Sequence, residues 1–171
     1  MIFAESVDAI RETVRRWRKS GERVAFVPTM GSLHEGHLRL VDQAHAHAER
    51  VVVSIFVNPL QFGPNEDFSR YPRTLAADRA LLTTRGADAL FHPSVETVYP
   101  NGFDTAVRAG KLADGLCGPF RPGHFDGVLT VVLKLFTIVE PDLAVFGEKD
   151  FQQLRLVETM VRDFALPLDP S

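Results

Sequence analysis

Two hydrophobic rhythms alternate along the chain. Apolar residues three and four apart read as helices covered on one side, and short continuous apolar runs read as buried strands. The first helix follows Ser6, a suitable N-cap, and carries Val7, Ile10, Val14 and Trp17 as its stripe to about Lys19, with Gly21 as its stop. Val24-Ala25-Phe26-Val27 is long enough for a buried strand, which Pro28, lacking an N–H for the ladder, is expected to end. From Gly36 the helical spacing returns with Leu38, Val41, Ala44 and Ala48, and fades near Glu49-Arg50. The run at 51–57 is the clearest strand, and its nearly unbroken apolar character suits a parallel strand covered on both faces.

The same rhythms predict a helix from about Leu75 to Arg85, closed by Gly86, and a short strand at Ala89-Leu90-Phe91. Pro93, Pro100, Asn101 and Gly102 break up the next stretch of chain, and residues 105–108 suit another short strand. Residues 112–122, rich in Gly and Pro, read as a mobile loop. Residues 126–139 form an apolar helix with Val128, Val131, Val132, Leu135 and Val139 at helical spacing. A strand at 142–146 and a helix from about Phe151 to Phe164 complete the series, and the chain ends where another strand could begin. Strands alternating with helices, with no repeat and no internal linker, imply a doubly wound, mainly parallel α/β sheet.

Composition narrows this only slightly. A chain of 171 residues with 45% hydrophobic and 24% charged content is an ordinary globular domain. A net charge of −3 argues against a nucleic-acid surface, though not against a local basic pocket. Cys117 is the only cysteine, so no internal disulfide can form and a reducing compartment is expected. The N-terminus does not have the pattern of a signal peptide, and the longest apolar runs are too short to span a bilayer. Together these lead to the expectation of a cytoplasmic protein that binds neither nucleic acid nor membrane.

Chemistry concentrates where strands end. After the first strand come Gly31, His34, Gly36 and His37, so a strand, a glycine-bearing turn and a helix N-terminus stand in direct succession. The two histidines are three residues apart, on one side of a helical turn. A helix N-terminus offers unpaired N–H groups and partial positive charge, and imidazole N–H groups aimed at the same spot add donors for a phosphate. Preset donors favour a transition state in which charge grows, and losing one typically costs roughly 3–4 kcal/mol in barrier. Taken alone, two such histidines could equally be surface residues or an incidental metal site; the strand and turn before them favour the anion.

The loop after the second strand carries Asn58 and Gln61, neutral groups suited to hydroxyls and carboxylates, although either could simply cap a turn. Arg121 and His124 stand beside glycines and could reach an anion, although the stretch could simply be a surface loop with a helix-capping His. The turn Gly147-Glu148-Lys149-Asp150 repeats the strand–turn–helix plan with charge: Lys149 can meet a phosphate, Asp150 a ribose hydroxyl. If the strands at 24–28 and 142–146 are neighbours, both turns face one crevice at the switch point of the sheet.

His34-Glu35-Gly36-His37 resembles the His-x-Gly-His signature of the nucleotidyltransferase superfamily. The longer string from Pro28 to His37 is similar to one family within it, pantothenate synthetase (pantoate–β-alanine ligase). So are Val53-Ser54-Ile55-Phe56-Val57-Asn58-Pro59-Leu60-Gln61-Phe62-Gly63, Tyr71-Pro72-Arg73-Thr74, residues 124–132 and residues 146–154. Ser32 stands where that family more usually has Ala, and Leu60 where Met is common.

The resemblance implies a Rossmann-like nucleotidyltransferase fold and an ATP-dependent ligase that uses Mg²⁺. Pantoate and ATP would give pantoyl adenylate and pyrophosphate; β-alanine would then give pantothenate, a coenzyme A precursor, and AMP. It implies that Met30, Gly31, Ser32, Leu33, His34, Glu35, Gly36 and His37, with Gly147, Glu148, Lys149 and Asp150, line the ATP site. His34, His37 and Lys149 would meet the phosphates, with His37 as proton donor, and Asp150 the ribose. Gln61 and Gln153 would hold pantoate, with Asn58 nearby and Phe56, Val131 and Val132 on its methyl groups; Asp78 would lie in the metal region. A homodimer is implied as well. Relatives continue into a smaller lid domain, so residues 1–171 are expected to be the N-terminal ATP- and pantoate-binding domain, poorly active by itself. Two alternatives stay open: another nucleotidyltransferase, or a non-catalytic nucleotide-binding or dimerisation module.

Overall fold

The computed structural model describes residues 1–115 and 123–171. Cys117, Arg121 and most of the expected loop at 112–122 lie outside the described residues. Six strands form one parallel sheet: β1 (Ile2–Ala4), β2 (Val24–Thr29), β3 (Arg50–Ile55), β4 (Ala89–Phe91), β5 (Leu143–Ala144) and β6 (Asp169–Pro170). Their order across the sheet is β1-β4-β3-β2-β5-β6, with every pairing parallel. Among the described residues six α-helices connect them: α1 (Val7–Lys19), α2 (Glu35–His47), α3 (Leu75–Arg85), α4 (Val95–Val98), α5 (His124–Val139) and α6 (Phe151–Asp163).

Burial on both faces stems from the alternation of side chains along a strand. Val24 and Phe26 of β2 pack with α1, α5 and α6, through residues such as Ile10, Val14, Leu135 and Val157. Ala25 and Val27 point the other way, into a cluster with Leu38, Val41 and Ala44 of α2 and Leu82 of α3. The chain leaves β2 towards β3 and β4, then returns through α5 to β5 on the other side of β2. The switch point therefore lies between β2 and β5, as expected, and Phe26 pairs with Ala144 there.

Three expectations need correction. Pro28 does not end β2, which runs to Thr29 with Pro28 opposite Ser54. The carbonyls of Val24 and Phe26 accept from the β5 side, whereas those of Arg23 and Thr29 accept from the β3 side. Pro28 shares the first phase, so its missing N–H faces the side where the short β5 ladder has run out. Residues 105–108 are not a strand; they are held by α5, with Val107 N–H donating to Thr130 Oγ1 at 2.9 Å and Ala109 N–H to Asp126 at 2.7 Å. Helix α5 starts at His124, not Asp126. Finally, β1 and the short α4 are not foreseen by hydrophobic spacing, because three or four residues are too few to show a period.

Candidate active site

Beyond β2 the backbone turns through two consecutive left-handed residues, Gly31 (φ 84°) and Ser32 (φ 51°). A Cβ on Gly31 would sit 3.2 Å from Asp78 Oδ2, so glycine is needed for space as well as conformation. Ser32 has no such freedom, and its conformation costs about 1–2 kcal/mol. Asp78 offsets that cost. Its carboxylate is 2% exposed and accepts from the N–H groups of Ser32 and Leu33, both at 2.9 Å, and from the Thr74 hydroxyl at 3.1 Å. Both oxygens help hold the turn, and Asp78 also borders the cleft. Thr29 adds a further tie, accepting from Gly31 N–H at 3.1 Å.

The turn delivers His34 as the N-cap of α2. His34 Nδ1 accepts from Gly36 N–H at 3.0 Å, and His34 N–H donates to His37 Nδ1 at 3.2 Å. The helix N-terminus is thus capped reciprocally by the two imidazoles. This corrects one expectation: the Gly36 N–H is already used and is not left for a ligand. What remains is better defined. With Nδ1 accepting, each neutral ring carries its proton on Nε2, and the rings lie 4.2 Å apart, centroid to centroid. Gly36 permits this, since a Cβ there would fall 2.8 Å from His34 Cε1. Burial, then the neighbouring His34, hold His37 below the ordinary imidazole pKa, against a weaker opposing pull from Asp78. His37 is therefore held neutral, a hydrogen-bond donor at Nε2.

The remaining residues of this stretch divide. Met30 is half-buried, whereas Leu33 is packed in the α2–α3 core, so only its backbone can face a ligand. Glu35 turns its carboxylate to Arg85 of α3, which also pairs with Asp42. Across the switch point, Gly147, Glu148, Lys149 and Asp150 are all exposed, on a single 3-10 turn that leads into α6. A Cβ on Gly147 would lie 4.0 Å from Leu40 Cδ1, so this turn sits against the second turn of α2. The two ligand-type turns foreseen from the sequence are neighbours.

In the loop after β3, Asn58 takes the turn-capping role that its residue type also allowed. Asn58 is 1% exposed and has no capacity left for a ligand. Its Nδ2 donates to Gln61 Oε1 and to the Gly127 carbonyl, both at 3.0 Å, while its Oδ1 accepts from Leu60 N–H at 3.3 Å and Tyr99 OH at 2.7 Å. Asn58 therefore holds Gln61, which is itself half-buried. His124, read as a possible anion contact, is buried with Nδ1 3.0 Å from the Gln61 carbonyl. Gly127 brings α5 against this loop, since a Cβ there would meet Leu60 O at 2.4 Å. Phe56, Val131 and Val132 lie in one buried cluster, and Gln153 is half-buried on the first turn of α6. Sequence reasoning missed Tyr99 because no motif marks it and its neighbours read as breakers.

A cleft of about 420 Å³ opens at the carboxyl ends of β2, β3 and β4, lined by Met30, Gly31, Phe56, Pro72, Arg73, Asp78, His92 and Ser94 among others. Arg73 pins its rim by donating to the carbonyls of Phe68, Ser69 and Tyr71. It borders the candidate site but does not include the histidine pair. No group of three His, Cys, Asp or Glu side chains that could hold a metal ion exists among the described residues. No helix among them is long and apolar enough to cross a membrane.

A parallel doubly wound sheet whose switch-point strand opens through His-x-Gly-His into a helix defines a Rossmann-like, nucleotidyltransferase-type domain. Within that class the chain belongs to the pantoate-beta-alanine ligase family, whose family model matches residues 2–169. It is 57% identical to the pantothenate synthetase of Shewanella halifaxensis and 56% identical to that of Hydrogenovibrio crunogenus, over 99% of this chain and 60% of each relative. Its structure is similar to that of the Thermus thermophilus pantothenate synthetase, with a TM-score of 0.94 and 52% identity over 100% of this chain and 60% of the other. It is also similar to a Francisella tularensis pantoate-beta-alanine ligase, described as complexed with beta-gamma ATP and beta-alanine (TM-score 0.94, 40% identity, 100% of this chain and 66% of the other). The chain thus spans about 60% of the length of the curated relatives.

Proposed function

We propose that this chain forms the ATP- and pantoate-binding domain of a pantoate–β-alanine ligase. In the first step a pantoate carboxylate oxygen attacks the α-phosphorus of ATP, the bond to the bridging oxygen breaks, and pyrophosphate leaves with the electron pair. In the second, the β-alanine amine attacks the acyl carbon, a C–N bond forms, AMP leaves and the nitrogen loses a proton. The observation that carries this reading is the imidazole pair: both Nδ1 atoms are tied to the helix start, so both Nε2–H groups are preset donors.

In this reading His34 and His37 donate to the phosphates, with His37 acting as a neutral donor and not as a resident imidazolium. Lys149 adds charge, and Asp150 accepts from the ribose. Gln61 and Gln153 hold pantoate while Phe56, Val131 and Val132 receive its methyl groups. Asp78 positions the turn beneath the nucleotide. Mg²⁺ would be carried by the phosphates, since it commonly keeps its waters and binds through one or two carboxylates, and no group of three ligand side chains stands among the described residues. Glu148 and Asp150 are exposed carboxylates on the 3-10 turn that carries Lys149. The reading also includes a homodimer, which sedimentation of the purified chain would reveal.

The test is pyrophosphate release. Release should depend on pantoate, and His37→Ala should cut it by about a hundredfold or more while the melting temperature stays within a few degrees. Release that is independent of pantoate, or equal in the variant, would overturn the assignment.

A further inference from the structure

Gln61 can present either end of its amide to a ligand, and the two ends recognise opposite chemistry. Its orientation can be read without ambiguity from the groups behind it. The Leu60 N–H can only donate and the Gly127 carbonyl can only accept, so the oxygen and nitrogen of the Asn58 amide are fixed by backbone partners at 3.3 and 3.0 Å. Asn58 Nδ2 then faces Gln61 at 3.0 Å, so the Gln61 atom it meets is the oxygen, and Gln61 Nε2 is the amide end that Asn58 does not hold. On the far side, Tyr99 OH lies 2.7 Å from Asn58 Oδ1, an atom that can only accept. Burial pushes the Tyr99 phenol well above its ordinary pKa, so it remains a donor at every working pH. Its ring is fixed by Phe56 and Phe103, at centroid distances of 6.0 and 5.0 Å.

We propose that Tyr99 is a positioning residue for the reaction: through Asn58 it holds the Gln61 oxygen, so that the Gln61 amide N–H is the group offered to the carboxylic acid substrate. This rests on the reading that Gln61 holds pantoate. The consequence is selectivity by charge and polarity. A carboxylate or hydroxyl oxygen can accept from that N–H, and a group that can only donate is disfavoured.

The experiment uses the full chain with ATP·Mg²⁺ present and pantoate as probe. The side-chain amide signal of Gln61 is followed by ¹H–¹⁵N correlation, assigned by its loss in Gln61→Ala, and pantoate affinity is measured by calorimetry. In the unmodified protein, pantoate should shift this signal. Tyr99→Phe keeps the ring but removes the donor, and should broaden or double the Gln61 signal and weaken pantoate about tenfold, with ATP affinity unchanged. Val98→Ala, a fully buried change in the neighbouring helix, should lower the melting temperature at least as much yet leave pantoate affinity unchanged. An unchanged Gln61 signal and pantoate affinity in Tyr99→Phe would overturn the positioning role alone. No response of the Gln61 signal to pantoate in the unmodified protein would overturn the reading of Gln61, and the proposal with it.

Discussion

At the scale of single residues, the candidate site is governed by atoms already committed to the fold. His37 shows this best, because its Nδ1 cannot be protonated without losing the hydrogen bond from His34 N–H at 3.2 Å. A histidine whose folded pKa is lowered binds fewer protons folded than unfolded below its ordinary value. Its contribution to stability is therefore complete above about 6.5 and is lost as pH falls through the lowered folded value. An NMR titration should give His37 a midpoint below 6.5, the ordinary value. The loss of melting temperature from about pH 7 to about pH 5 should be shallower in His37→Gln. A midpoint at or above the ordinary value would show that the imidazole is not held by the cap. The residue types at His34, Gly36 and His37 were legible in the sequence, as was the chance that their strand neighbours the one leading to Lys149. Which ring nitrogen faces outward was not, since it depends on backbone N–H groups whose direction only the folded turn sets.

Elements place those residues by close approach, and this was largely invisible in the sequence. Helix α5 was expected from its spacing, but nothing in that spacing says that Gly127 lies against the carbonyl of Leu60. Gly127→Ala would push α5 from the Pro59–Gln61 turn and disturb the Asn58–Gly127 bond at 3.0 Å. It should cost about 1–3 kcal/mol in denaturant unfolding and also weaken pantoate. A variant as stable as the parent would show that helix and turn can separate freely. Asn58 and Asp78 teach the same lesson from the polar side. Both have the chemistry of ligand residues, and both prove buried at 1% and 2% exposure with their hydrogen bonds spent inside the fold. Residue type suggests a role in chemistry, and burial decides whether that role is contact or support.

For the molecule as a whole, the alternation of strands and helices was sufficient to reach a doubly wound parallel sheet, with the switch point between β2 and β5. The elements that escaped were those too short to carry a period: β1, α4, and the β6 pair at Asp169–Pro170. The arrangement brings the His-x-Gly-His turn of one strand beside the Lys149–Asp150 turn of its neighbour, where doubly wound sheets place their ligands. The decisive measurement is calorimetric titration of the 171-residue chain, first with ATP·Mg²⁺ and then with pantoate. Saturable binding of ATP and then of pantoate is the expected result, with both weakened in His37→Ala. Binding of neither would contradict the claim that this crevice is formed by the residues described.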